Sequence, residues 1–230
     1  MKDKKKLLKT LHLILTVLLL TGCGWFGENT EPLNESYEAG KKALSEGQYD
    51  VAKSHFRQIT PNSPFYPQAV WMLQKVPFKK GVASYEQKKY QIAISELSKV
   101  PVHSPDYVET QRYIKLANYA MLNDQYTKSS AKERIVLLRE MFAIANELED
   151  SSLVLANVNL IEEGLKQADS AGKTRDLLNL LSEVLSVNKE PELQQKALNY
   201  LLTDFEKLYG QPELRPDVFR MIGNIKMELM

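Results

Sequence analysis

The sequence predicts an all-α chain in which helices pair into hairpins and the hairpins stack on one another. Three observations carry this. Apolar residues recur every three to four positions over most of the chain, no convincing run of alternating apolar and polar residues marks a strand, and the sequence matches itself at an offset of 41 residues. At that offset Gly40 recurs as Gly81, Tyr49 as Tyr90, Ala52 as Ala93 and Pro64 as Pro105.

The chain opens on Lys2, Lys4, Lys5, Lys6 and Lys9, followed by an apolar segment from Leu11 to Leu20 that only His12 and Thr16 interrupt. Such a segment is too short for an ordinary membrane span, and with its basic flank it reads as a signal that is removed. It ends in Leu20-Thr21-Gly22-Cys23, which holds the only cysteine. This arrangement resembles the lipobox of bacterial lipoproteins. The resemblance implies that residues 1–22 are a signal peptide and that Cys23 becomes an acylated N-terminus. Each buried methylene of an acyl chain contributes about 0.8 kcal/mol, so several chains hold the protein to a membrane essentially permanently. Trp25 and Phe26 are suited to the headgroup level, and Gly24, Gly27 and Glu28 to Pro32 form a spacer, which gives a lipidated tether over residues 23–33. By resemblance to proteobacterial lipoproteins, the absence of aspartate after Cys23 permits transport to the outer membrane. The expected location is therefore extracytoplasmic and membrane-anchored, on the periplasmic face of the outer membrane.

Removing residues 1–22 takes away five lysines and one aspartate, which leaves 25 Lys+Arg against 28 Asp+Glu and a net charge of about −3. That balance lacks the basic excess of a nucleic-acid binder, so no nucleic-acid partner is expected. With Cys23 acylated no thiol is left for a disulfide, and stability has to come from packing.

Within each repeat a small residue in a first helix (Gly40, Gly81) is followed by an aromatic at a turn (Tyr49, Tyr90). A small residue comes three positions later (Ala52, Ala93), then a large apolar one (Phe56, Leu97), then a proline expected to end the helix (Pro64, Pro105). The small residues allow two helices to approach closely, and the aromatics fill space at the turn. This order resembles the tetratricopeptide repeat, whose period is roughly 34 residues. The longer period here implies first helices extended by about two turns, as the stretch from Pro64 to Gln87 suggests. A third repeat places Ala131 where Ala52 and Ala93 stand, with Tyr119 in place of the glycine. These repeats span residues 34–125. Residues 126–230 are expected to continue the stack, with apolar stripes at Val154, Val158, Ile161 and Leu165, at Leu177, Leu178, Leu181 and Leu185, and at Leu193, Ala197, Leu201 and Phe205. Asp150-Ser151, Ser170 to Gly172, Asn188 to Pro191 and Gly210 to Pro212 supply caps and breakers between them. The expected fold is a right-handed helical solenoid of about ten helices in five hairpins.

No catalytic constellation emerges, so the chain is not expected to be an enzyme, and no cofactor, metal or small-molecule substrate is expected. Asp169-Ser170-Ala171-Gly172-Lys173-Thr174 ends like a phosphate-binding loop, but Gln167 occupies the place of the first glycine and a helix precedes it. His55 and His103 lack a second ligand at metal-binding spacing. The acidic clusters Glu162-Glu163 and Glu147-Glu149-Asp150 are expected to be solvated.

In the tetratricopeptide family the first helices build a concave face that binds peptides. That resemblance implies a partner-binding groove of Tyr37, Lys41 and Leu44 from the first repeat and Lys75, Phe78, Val82 and Tyr85 from the second. Tyr113, Leu116 and Asn123 complete it from the third. Rings beside lysines suit a protein or peptide partner carrying carboxylates or carbonyls, although such positions on first helices also serve as core. A lipobox, a short tether and about five helical hairpins together resemble BamD-type lipoproteins, which assist β-barrel insertion into the outer membrane. The stretch from Tyr37 to Pro105 carries that resemblance. The alternatives are a pilotin or pilus-assembly lipoprotein, or a surface lipoprotein of a single-membrane bacterium.

Overall fold

The computed structural model describes residues 31–230 apart from 205, 206 and 209. Cys23, Trp25, Phe26 and Phe205 lie outside the described residues. Ten helices and no strand are present among those described: α1 (Glu31–Ser45), α2 (Tyr49–Arg57), α3 (Tyr66–Glu86), α4 (Tyr90–Leu97), α5 (Tyr107–Tyr126), α6 (Ala131–Glu147), α7 (Ser151–Gln167), α8 (Ala171–Val187), α9 (Pro191–Thr203) and α10 (Arg215–Glu228). The all-α expectation therefore holds. Helix α1 begins at Glu31, so Glu31 and Pro32 are helical rather than spacer. The chain divides into two compact units between Val76 and Pro77, inside α3. Pro77 has no N–H to donate, which removes one rung of the helical ladder at that point.

In the first unit α1 packs on α2. Their approach is set at Gly40, where an added Cβ would lie 2.6 Å from Cε1 of Phe56. Around this point Ala43, Ala52, Phe56, Ile59, Ala69 and Val76 form the core, with Tyr37, Leu44, Tyr49, Phe65, Met72 and Leu73 packed against it.

The second unit repeats the device one period later. At Gly81 an added Cβ would lie 2.5 Å from Cγ of Leu97 and 3.2 Å from its backbone nitrogen. Phe78, Ala93, Leu97 and Val100 close a small core against Val82, Tyr85, Tyr113 and Ile114.

Three hairpin turns share one geometry. Gly47 has φ +74°, Lys88 φ +59° and Glu149 φ +51°. The residue after each donates its N–H back into the helix just ended, Gln48 to the Ala43 carbonyl at 2.8 Å, Lys89 to Ser84 at 2.9 Å and Asp150 to Ala145 at 3.1 Å. A left-handed residue at the end of a helix turns the chain so that this bond closes. Glycine occupies the position in only the first turn, so composition alone hides that the other two are alike.

Pro64 and Pro105 do not end the second helices, because α2 has already stopped at Arg57 and α4 at Leu97. Each proline instead stands two residues ahead of the next helix, in a turn organised by a buried serine. The Ser63 hydroxyl accepts from the Phe65 N–H at 3.2 Å, and that of Ser104 accepts from the Asp106 N–H at 3.3 Å. The following N–H groups of Tyr66 and Tyr107 reach the carbonyls of these same serines, both at 3.0 Å.

From α5 onward one continuous core runs from Tyr119 to Ile225. Val154, Val158, Ile161, Leu165, Leu177, Leu178, Leu181, Leu185, Leu193, Ala197 and Leu201 are all buried in it, as their spacing predicts. Ala131 is not: it is exposed at the first position of α6, whose buried residues are Leu138, Met141 and Ala145. Helix α6 has 17 residues where α4 has 8, so its contact lies further along, and Ala131 is not the counterpart of Ala52 and Ala93.

Neighbouring hairpins in this unit are tied by side chains about one repeat apart. The Tyr119 hydroxyl donates to Oδ1 of Asn157 at 2.8 Å, and Nδ2 of Asn188 donates to Oδ1 of Asn146 at 3.2 Å. Arg139 meets Glu183, and Arg175 meets Asp217, both at 3.3 Å. Lys196 reaches Oδ1 of Asn159. Burial, together with Asp150, pushes the Tyr119 hydroxyl up to about 12, so it stays a donor.

Of the helix starts that follow the expected caps and breakers, those of α7 and α8 are capped by side chains, whereas Glu190 before α9 and Leu214 before α10 make no such bond. Asp150 accepts the N–H groups of Ser152 and Leu153 at the head of α7, and Ser170 accepts that of Lys173 at the head of α8. The phosphate-loop-like segment is thus a capped helix start. Lys173 pairs with Asp169 at 2.7 Å, and the buried Thr174 donates to the Ser170 carbonyl at 3.0 Å.

Candidate functional site

The ten residues expected to bind a partner fall into both units, and each group has its own geometry. In the first unit Tyr37 is half-buried, its ring stacked on Phe65 at 5.5 Å and tilted against Phe56 at 6.0 Å. Lys41 is exposed, with Nζ 5.5 Å from the Tyr37 ring and 3.0 Å from Glu38. Leu44 is half-buried and packs on the core. Lys75 lies on the ring of Trp71, with Nζ 4.1 Å from its centroid. Trp71 is 44% exposed and was not among the expected residues. Its signal was the Trp71–Lys75 spacing, which puts the two on one face of a helix. A cation over an indole contributes about 0.5–1 kcal/mol at an exposed site, so the pair is a preformed surface and not a core contact.

In the second unit the expected residues turn mostly inward. Phe78 is 7% exposed and meets Tyr113 edge-on at 6.3 Å, so it serves as core and not as a partner contact. Tyr85 lies between Tyr113 at 5.4 Å and Tyr90 at 5.8 Å. Its hydroxyl is pushed up by burial first and then by the two neighbouring tyrosines, against a smaller pull from Arg112. Val82 packs beside them, Leu116 is half-buried, and Asn123 is exposed.

Asn123 borders a cleft. About 280 Å³ is enclosed there with Tyr126, Arg134 and Glu163 in the wall, and about 200 Å³ adjoins it beneath Leu138 and Leu177. Arg134 lines both. Its Nε donates to the Tyr126 carbonyl at 3.1 Å and its guanidinium lies 5.2 Å from the Tyr126 ring, which closes the end of α5 with a cation.

Glu162 departs from the solvated state expected of it. It is half-buried, its Oε1 has no partner, and burial raises its carboxyl above the ordinary range against the opposing pull of Lys196 and Lys166. Glu147 pairs with Lys115 at 3.0 Å, and Glu149 is the left-handed turn residue. His55 is half-buried and His103 is exposed in a loop. Among the described residues no group of three or more His, Cys, Asp or Glu side chains could hold a metal ion, and no helix is long and apolar enough to cross a membrane. No family model, curated protein or solved structure matches the chain.

Proposed function

We propose that this chain is a lipid-anchored scaffold of the bacterial envelope that captures partner proteins during envelope assembly, β-barrel insertion being the first process to test. Its hairpins form a right-handed solenoid of tetratricopeptide type, tethered to the outer membrane through acyl chains on Cys23. The observation that carries this reading is the recurrence, at about one repeat, of the same closing contact, the same left-handed turn and the same serine-organised helix start. Such quasi-one-dimensional arrays present long surfaces to other chains. On the first helices the pair Trp71–Lys75 leaves a ring and an ammonium group together at the surface, a combination suited to a segment bearing carboxylates.

The test is site-specific photo-crosslinking in the native cells from Lys41 and from Lys75, with exposed Asn179 as the control position. Recovery of a β-barrel assembly factor from Lys41 and Lys75 but not from Asn179 supports the proposal, and recovery of a secretin moves the scaffold to pilus assembly. Equal labelling from all three positions, or labelling of lipid and cell-wall fragments alone, overturns partner capture. The anchor is tested separately: Cys23→Ser abolishes palmitate incorporation and membrane sedimentation if Cys23 is acylated, and changes neither if it is not.

A further inference from the structure

The cleft beside Asn123 places two opposite charges in one wall, Arg134 from α6 and Glu163 from α7. Among the described residues neither is in an ion pair, with the other or with any third group. Neutral groups hold both. The half-buried guanidinium donates from Nε to the Tyr126 carbonyl at 3.1 Å and lies 5.2 Å from the Tyr126 ring. With five N–H donors, an arginine so placed keeps most of its capacity for a ligand. The Glu163 carboxylate accepts the Gln167 amide at 3.1 Å. Burial raises the Tyr126 hydroxyl first, while Arg134 pulls it down and Glu163 pushes it up, so both charges act on one point of the wall. The Thr127 hydroxyl donates to the Asp124 carbonyl at 2.9 Å and the Tyr126 hydroxyl to the Leu160 carbonyl at 3.4 Å. With the Asn123 amide these are neutral, so the charge of the cleft is that of Arg134 and Glu163 alone.

The adjoining chamber of about 200 Å³ shares Tyr126, Arg134 and Gln167 with this cleft and is lined by Ile135, Leu138 and Leu177. Its own further charges, Asp169 and Lys173, are paired at 2.7 Å. For scale, an engineered apolar cavity of about 150 Å³ admits benzene, so the chamber takes an apolar side chain. A simple acid would satisfy Arg134 and meet Glu163 with like charge, and a simple amine would do the reverse. Because both charges border one small cleft, the complementary molecule carries an ammonium and a carboxylate close together, next to an apolar group. We infer that the cleft and its chamber bind a free α-amino acid with an apolar side chain, its carboxylate on Arg134, its ammonium on Glu163 and its side chain against Leu138 and Leu177. This inference does not depend on the scaffold reading.

The experiment uses the full-length chain in detergent with its isoleucine and leucine methyl groups labelled for NMR. Unlabelled L-leucine is titrated first, followed by three analogues that each lack one feature: leucinamide the carboxylate, N-acetyl-leucine the ammonium, and glycine the side chain. The expected result is a saturable shift at Ile135, Leu138 and Leu177, none at Ile59 or Ile225, and binding about tenfold weaker for every analogue. Absence of a saturable shift with leucine overturns the proposal, and so does any analogue that binds as tightly. N-acetyl-leucine equal to leucine would assign the cleft to a carboxylate alone, as at the end of a peptide, and not to a free amino acid. Arg134 also closes α5, but these comparisons leave the protein unaltered and stand even if an Arg134 variant fails to fold. Glu163→Gln, at an exposed position, should abolish the preference for leucine over N-acetyl-leucine, and an undiminished preference would remove Glu163 from the site.

Discussion

Adding one methyl group at Gly81 tests the packing argument most directly. An alanine Cβ there would lie 2.5 Å from Cγ and 2.8 Å from Cδ2 of Leu97, where an unstrained carbon contact needs about 3.5–4.0 Å. Leu97 would have to retreat by roughly an ångström, but Cγ is close to the main chain and the backbone nitrogen itself is 3.2 Å away, so α4 has to move. Overpacking of this kind costs about 1–3 kcal/mol. Alanine returns about 1 kcal/mol of helix propensity, which leaves a net destabilisation of about 0–2 kcal/mol. At Gly40 the nearest atoms are Cε1, Cδ1 and Cζ of Phe56, a ring held in the core at 1% exposure, so Gly40→Ala should be destabilising as well. The assay is amide hydrogen exchange across α3 and α4, which reads the local opening free energy without assuming that the two units unfold together. Leu97→Ala alone should cost about 2–5 kcal/mol, and the Gly81→Ala, Leu97→Ala pair should cost less than the sum, because the new methyl fills part of the cavity. Strict additivity, or a Gly81→Ala protein more stable than the parent by the full propensity gain of about 1 kcal/mol, would refute the close-approach account.

Three further outcomes are expected. Lys88→Gly and Glu149→Gly should each stabilise the chain by about 0.5–1 kcal/mol, because both residues hold a left-handed φ that disfavours a Cβ, whereas Gly47→Ala should destabilise it; denaturant titration measures all three. Asp150→Ala should cost about 1 kcal/mol near pH 7 through the lost cap. The Ser152 hydroxyl, and after it the Leu153 and Ser152 amides, hold the Asp150 carboxyl below its ordinary range. Its contribution is therefore present above the unfolded pKa and fades as pH falls through the folded one, so melting curves of variant and parent should converge in acid. Glu162 has the opposite sign: its folded pKa is raised, so ionisation weakens the fold as pH rises through that value. Glu162→Gln should raise the melting temperature near pH 7 and leave it unchanged near pH 3, and an equal gain at both would remove desolvation as the cause.

What the sequence revealed and what it hid follow from the length scale of each signal. Stripes such as Val154, Val158, Ile161 and Leu165 declared their helix because burial acts on every turn and writes the same period repeatedly. The 41-residue offset exposed the contacts at Gly40 and Gly81 because only glycine fits there. The turns were harder. Lys88 and Glu149 do what Gly47 does, yet long polar side chains give no sign of a left-handed backbone. Pro64 and Pro105 read as stops because proline breaks helices, but it equally opens them, and the buried serine beside each decides. For the candidate site, spacing put Phe78 and Lys41 on first helices alike, although one is core and the other surface. A period longer than 34 residues shifts which face of an extended helix meets its neighbour, and that shift cannot be read from residue types.

The ties between neighbouring hairpins also bear on how the chain folds. Tyr119 finds Asn157, Arg139 finds Glu183, Asn146 finds Asn188 and Arg175 finds Asp217, and the longest of these reaches spans 44 residues. Each partner therefore becomes available as soon as one more hairpin has been delivered. Low contact order of this kind favours rapid folding. A chain threaded N-terminus first through a narrow exit can thus consolidate progressively, each finished hairpin serving as the template on which its successor is laid down.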